Sequence, residues 1–202
     1  MLQNRVDPYG NLIKSPARGT FMGNRGLLHN EKQEIRRLFK LTAWITCVLE
    51  FKDRKRPVMA PGQYTELFFL DEPTSFAAGH RPCFECRRAE ATAFKTFWLK
   101  GNPEYGFNAK TPIKAIDDIL QQERIDQNNK KVTFLEYPDA LPDGTFIIFK
   151  NEPYLIRNGM MYFWSVEGYG IAKLLPKEKL SVLTPKSVVK TFRTGYLPSF
   201  IE

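Results

Sequence analysis

Two cysteines three residues apart, Cys83 and Cys86, sit in the run Ala-Gly-His-Arg-Pro-Cys-Phe-Glu-Cys-Arg-Arg that ends at Arg88. A tight Cys-x-x-Cys turn points two thiolates at one ion while backbone N–H groups support the sulfurs. Zinc favours four such soft or borderline ligands in a tetrahedron. The pair supplies two of them. Cys47 is the third cysteine, and His29 and His80 are the two histidines. A Zn2+ site of Cys47, Cys83, Cys86 and one imidazole would therefore use nearly every soft ligand in the chain. His80 lies close to the pair, but Pro82 restricts the link between them. This favours His29 as the fourth ligand, with His80 as the alternative. Two other roles are open to the cysteines: buried small hydrophobes, or a redox pair of the kind that follows a strand in thioredoxin-like patterns.

Around the pair lies a cluster of cations. Arg54, Lys55, Arg56, Arg81, Arg87 and Arg88 are candidates for phosphate contact, and Arg18 and Arg25 in glycine-flanked loops extend the set. Arg87 and Arg88 open an expected helix, whose N-terminal N–H groups favour an anion. The net charge is +8, and it is lopsided: residues 1–100 hold 17 Lys/Arg against 10 Asp/Glu, and residues 101–202 hold 13 against 12. A concentrated positive field attracts polyanions, so nucleic acid, DNA first, is the expected partner. The competing reading is a solvated basic face.

Catalysis has weaker support. No Walker-type loop or serine elbow is present. Glu66 and Glu85 are candidate general bases near a metal-bound water, and Cys47 is a candidate reactive thiol. Glu85 reads equally as a solvent-facing residue at the turn tip. Whether the chain is an enzyme stays open at this level.

One stretch resembles a known family. Glu66-Leu67-Phe68-Phe69, followed by Thr74-Ser75-Phe76-Ala77-Ala78-Gly79-His80-Arg81-Pro82-Cys83-Phe84-Glu85-Cys86, is similar to the zinc-binding domain of the Ada DNA-repair family over about residues 65–88. That family shows a Phe-Phe-type strand, a short Ala-rich helix and an Arg-Pro-Cys-x-x-Cys knuckle. The resemblance implies a zinc-bearing, DNA-contacting domain with a role in DNA repair or damage response. It carries over Cys83 and Cys86 directly. The family's first cysteine pair has no counterpart, because the matching region reads Arg54-Lys55-Arg56-Pro57-Val58-Met59, so its methyl-acceptor activity is not implied. The rest of the chain resembles an uncharacterised bacterial protein family with similar Gly-Asn-Arg-Gly and Ala-Gly-His-Arg-Pro-Cys segments.

The elements that must position these residues follow from pattern. Pro and Gly density over residues 1–30 reads as ordered loop with short extended pieces. Glu31–Lys40 has a helical stripe (Ile35, Leu38, Phe39) with Asn30 as N-cap. Thr42–Phe51 and Tyr64–Leu70 are β-rich runs, joined by a charged turn over residues 52–57. Thr74 caps a short helix through Ala78, ended by Gly79 in the left-handed position. Arg87–Leu99 and Ile113–Arg124 are amphipathic, and Asn102-Pro103 breaks the first. After Pro138, short apolar runs separated by turn residues, with Asn158-Gly159 as a hairpin signal, predict a β-meander or small barrel. A helical turn over Pro185–Phe192 follows. The aromatics Tyr154, Tyr162, Phe163, Trp164 and Tyr169 read as core, with base stacking as the alternative.

Together these give an α+β protein: a zinc-knuckle domain over residues 1–136 and a β-rich module over residues 137–202, packed as one unit. No run approaches the roughly 18 apolar residues of a membrane span, and the N-terminal run lacks the apolar stretch of a secretory signal. Three cysteines argue against a disulfide framework. A cytoplasmic, non-membrane protein is the expectation. Oligomeric state is not readable.

Overall fold

The computed structural model describes residues 1–52 and 57–201. It is an α+β protein with two six-stranded sheets and four α-helices among the described residues. The first sheet contains β1 (Gln3–Val6), β2 (Leu12–Lys14), β3 (Phe21–Asn24), β4 (Ile45–Cys47), β5 (Leu67–Phe69) and β6 (Arg81–Pro82), in the order β2-β1-β5-β3-β4-β6. The β1/β5 and β4/β6 pairs are parallel, and the others antiparallel.

Between β5 and β6 runs α1 (Glu72–Ala77), whose cap is Asp71 rather than the expected Thr74. Asp71 Oδ1 accepts the Thr74 N–H at 3.0 Å and the Thr74 hydroxyl at 2.6 Å, so Thr74 sits inside the first turn as a donor. Gly79 closes this helix at φ +88°, and a Cβ there would come within 2.5 Å of the Arg124 side chain. Only glycine satisfies both demands.

The longer helices are α2 (Arg88–Gly101), α3 (Ile113–Arg124) and α4 (Lys186–Arg193). Their apolar stripes meet in one core of Phe76, Phe94, Trp98, Ile116, Leu120, Val188, Phe192 and Tyr196.

The second sheet is antiparallel throughout. It holds β7 (Phe134–Glu136), β8 (Phe146–Phe149), β9 (Glu152–Arg157), β10 (Met160–Ser165), β11 (Gly168–Leu174) and β12 (Leu180–Val182), ordered β11-β10-β9-β8-β12-β7. Asn158 and Gly159 both have positive φ (+51° and +68°), as do Lys150 and Asn151. Paired left-handed residues suit the tight hairpin turns that match strand twist. The meander is present. It does not close: β7 and β11 are its two edges, so the barrel alternative is corrected to an open sheet.

The two sheets share a core in which Leu70 and Ala77 pack with Phe146, Leu155, Trp164 and Leu183. Trp164 Nε1 donates to Thr74 Oγ1 (3.0 Å), and the Tyr169 hydroxyl donates to Asp71 Oδ2 (2.8 Å). The second sheet therefore holds the cap of α1 in place. A boundary at residue 136 falls at the end of β7, a strand of the second sheet, while α4 returns to the helical core.

The expected helix over Glu31–Lys40 is absent. Asn30 Oδ1 accepts the N–H groups of Lys32 and Glu34 (3.0 Å each), Gln33 has φ +60°, and His29 bridges Ile35 in antiparallel fashion. A side chain that captures nearby amides in this way competes with helix formation. The β-rich runs at 42–51 and 64–70 contract to β4 and β5. No helix among the described residues is long and apolar enough to cross a membrane.

Candidate metal centre

Strand alternation decides which side chains reach the site. Register places Met22, Cys47 and Phe68 side by side across β3, β4 and β5. Asn24, Ile45 and Glu66 share that face by period two. Thr46, Gly23 and Leu67 point the other way, where Thr46 Oγ1 donates to Ser75 Oγ (3.0 Å) and Gly23 abuts the Phe69 ring.

The parallel β4/β6 pairing then brings the Cys83–Cys86 turn to the end of β4. The Cys83 N–H donates to Thr46 O at 3.0 Å, and the Arg87 N–H to Cys83 O at 3.0 Å, which closes the turn ahead of α2. As a result the sulfurs of Cys47, Cys83 and Cys86 all lie within 4.8 Å of one another. Cys47 and Cys83 are buried and Cys86 is half-buried.

Backbone amides are aimed at the sulfurs. Glu85 N–H donates to Cys83 Sγ (3.3 Å), the Cys86 amide supports the same sulfur, and the Val48 amide supports Cys86. Hydrogen bonding from the Cys47 thiol, with help from the amides, lowers the Cys83 pKa to about 5. Cys47, which gives that hydrogen bond and is also buried, is pushed up. Burial raises Cys86. A negatively charged sulfur with two more thiols beside it is a donor set suited to a metal ion, whose ligation requires deprotonated thiols. The cluster is compatible with a metal site.

Beside the sulfurs is a pocket of about 510 Å³, lined by all three cysteines together with Asn24, Glu66, Glu85, Tyr64 and Phe68. Apolar side chains such as Ile45 and Val58 make up most of the remaining wall. Glu66 is 5% exposed, and its Oε2 accepts the Met59 N–H at 2.8 Å. Glu85 is exposed at the turn tip. Both acidic candidates thus border the same pocket as the metal-ligand candidates.

Neither histidine joins the cluster. His29 is buried with Nδ1 2.6 Å from Thr65 Oγ1 and Nε2 3.3 Å from Ala60 O. His80 is fully buried on the helix side of the sheet, with ring centroids 5.2 Å from Trp44 and 4.7 Å from Phe69. Its Nε2 accepts from Arg25 Nε at 3.1 Å. Because a guanidinium can only donate, the proton of this neutral ring sits on Nδ1, which has no hydrogen-bond partner among the described residues. Burial, then the nearby Arg25 and Arg124 charges, hold the imidazole well below its usual pKa. The expectation that His29 or His80 completes the site is therefore corrected: among the described residues the cluster is three cysteines.

The cation set also divides. Arg25 is 1% exposed and gives Nη1 to Gly10 O. Arg81 is 4% exposed in a two-pronged ion pair with Asp117, both contacts 2.7 Å. Arg87 is 3% exposed and pairs with Glu72 at 2.7 Å. These three arginines serve the interior in this fold, and do not present their charge to a phosphate. Arg18 and Arg88 are exposed. Arg54, Lys55 and Arg56 lie outside the described residues.

Sequence reasoning missed Asn24, Tyr64 and Phe68 as pocket walls, and Asp117 as the partner of Arg81. An Asp one turn into an amphipathic helix, on its apolar side next to Ile116, was the available signal for the last. Comparison with known families, with curated proteins and with solved structures finds no match to this chain.

Proposed function

We propose that the protein is a zinc-stabilised nucleic-acid-binding protein, with DNA as the first candidate and a role in DNA repair or damage response. The convergence of Cys47, Cys83 and Cys86 carries this reading. Three sulfurs with amide support form a soft donor set that suits Zn2+. When bound, Zn2+ would supply a cross-link between β4 and the turn that starts α2, and a Lewis-acidic charge at the pocket wall. The Ada-like stretch, the +8 net charge and the exposed Arg18 and Arg88 support the nucleic-acid part. Zinc-reconstituted protein is expected to bind DNA with an affinity that falls as salt rises, by about 0.9 log units per log of salt for each phosphate neutralised. Absence of binding at low salt would remove the reading.

A second reading, a metal-dependent enzyme acting on nucleic acid or nucleotides, is favoured by one observation: the buried Glu66 carboxylate borders the same pocket as the sulfurs. A carboxylate there is suited to holding a proton near a reacting group. Glu66→Gln is then expected to keep zinc while losing turnover by roughly 10²–10⁴-fold. Unchanged turnover in a metal-loaded variant would discard the role.

A further inference from the structure

The three cysteines stand together but are not equally reached. Cys47 and Cys83 are 7% and 6% exposed, whereas Cys86 is half-buried at the end of the turn. All three line the cavity of about 510 Å³, and their sulfurs lie within 4.8 Å of one another. A small oxidant therefore meets Cys86 first, with two more sulfurs beside it. Access and a neighbouring second thiol are what set a redox-sensitive cysteine apart from an inert buried one.

The backbone decides which neighbour responds. Cys47 belongs to β4, where it is paired with Met22 of β3. Cys83 and Cys86 belong to one turn, which runs from β6 into α2. The Arg87 N–H closes that turn on Cys83 O at 3.0 Å, and the Glu85 N–H supports Cys83 Sγ at 3.3 Å. A bond between Cys83 and Cys86 stays within this turn. A bond to Cys47 would tie the turn to a strand of the sheet, and disulfide geometry tolerates little backbone misfit.

Resting on the metal reading above, we propose that the centre is an oxidation-sensitive switch: hydrogen peroxide oxidises Cys86, Cys83 closes a Cys83–Cys86 disulfide, and the metal leaves. The Cys86 thiolate attacks one peroxide oxygen; the S–O bond forms, the O–O bond breaks, and the departing hydroxide takes a proton from solvent. The Cys83 thiolate then attacks the Cys86 sulfur; the S–S bond forms, the S–O bond breaks, and a second hydroxide leaves and is protonated. Two thiolates, one hydrogen peroxide and two protons thus become one disulfide and two waters. The sulfurs give up two electrons and the peroxide takes them. Metal ligation requires thiolates, so this one bond removes two of the three sulfur donors and leaves Cys47.

The test uses full-length protein loaded with Zn2+, freed of excess metal and exposed to hydrogen peroxide beside a chromophoric zinc chelator. Released zinc is read by absorbance, and the remaining thiols are alkylated and mapped by mass spectrometry. One zinc is expected to leave for each Cys83–Cys86 disulfide formed, with Cys47 still open to alkylation. Dithiothreitol followed by Zn2+ should restore the full equivalent. Cys47→Ser, treated without metal, is expected to form the same disulfide, which reads the sulfur chemistry even where the variant has lost zinc. Three alkylatable cysteines and retained zinc after peroxide overturn the proposal while the metal reading stands. A disulfide that takes Cys47 in place of Cys83, or oxidation that runs to sulfinic acid without a disulfide, also overturns it. A wild-type protein that holds no zinc before peroxide is added removes the metal reading and the switch together.

Discussion

On the pocket side of the first sheet, Cys47, Asn24 and Glu66 border open space beside the Cys83–Cys86 turn. On its helix side, Arg25, His80 and Trp44 are sealed in with Arg124 of α3. Residues from the same short strands and their flanks supply both sets, one position apart. The pocket side gathers sulfurs, an amide and a carboxylate around a cavity. The helix side uses equally reactive residue types as structure: both guanidiniums lie over the Trp44 ring at 3.8 and 4.0 Å, and the Arg124 and Lys131 cations are tied to the carbonyls of Gly79 and Ala77. A histidine or arginine next to a cysteine knuckle is thus functional or architectural according to the face it occupies.

The largest effect is expected where the helix side is cut. Asp117→Ala leaves the Arg81 guanidinium buried without its carboxylate, and breaking a buried pair from one side costs about 3–5 kcal/mol. Urea denaturation measures the loss. Zinc stoichiometry of the folded fraction should stay at the wild-type value, since Asp117 serves the other face. A variant that lost zinc in proportion would merge the two faces into one site.

A smaller effect concerns pH. Burial, then the Arg25 charge, lowers the Lys131 pKa to about 7 from 10.5. Between those values the unfolded chain binds the proton and the folded chain does not, so this residue makes stability rise with pH across that window. The slope has an upper limit of about 1.4 kcal/mol per pH unit. Lys131→Met should flatten the rise and be more stable than wild type below pH 7, as read from denaturation at pH 6, 7.5 and 9. Identical pH profiles for the two proteins would show that the ammonium is not buried among these cations.

The smallest effect belongs to Asp118, the next residue along α3. Its pair with Lys114 is exposed and spans one turn, at 2.6 Å. Lys114→Ala should cost about 0.3–0.5 kcal/mol. The contrast with Asp117→Ala measures what burial adds to the same chemistry one residue away. A loss above about 1 kcal/mol would mean that exposure has been misjudged as the deciding variable.

Much of this architecture could be read from pattern. Ile116, Leu120 and their neighbours recur at helical spacing, and α3 has the expected bounds. Asn158-Gly159 makes the hairpin it signals, and the Cys47, Cys83 and Cys86 set was reachable by counting soft ligands. What could not be read depends on relations across the chain. The helix expected after Asn30 fails because that side chain captures two amides locally, a choice the apolar stripe does not encode. His80 is three residues from Cys83, yet it stacks with Trp44 and Phe69 on the opposite face. Arg81 and Arg87 look like phosphate ligands until Asp117 and Glu72, from other elements, are brought against them. Sheet face and partner identity are long-range facts, and the chemistry of a residue type does not contain them.

Zinc content measured per folded chain tests the central claim most directly. Wild-type protein reconstituted with Zn2+ and freed of excess metal should retain one equivalent by elemental analysis. His29→Gln should retain it too, while Cys47→Ser and Cys83→Ser should each lose it. A wild-type protein that keeps no zinc, or a Cys47→Ser protein that keeps a full equivalent, would contradict the three-cysteine centre.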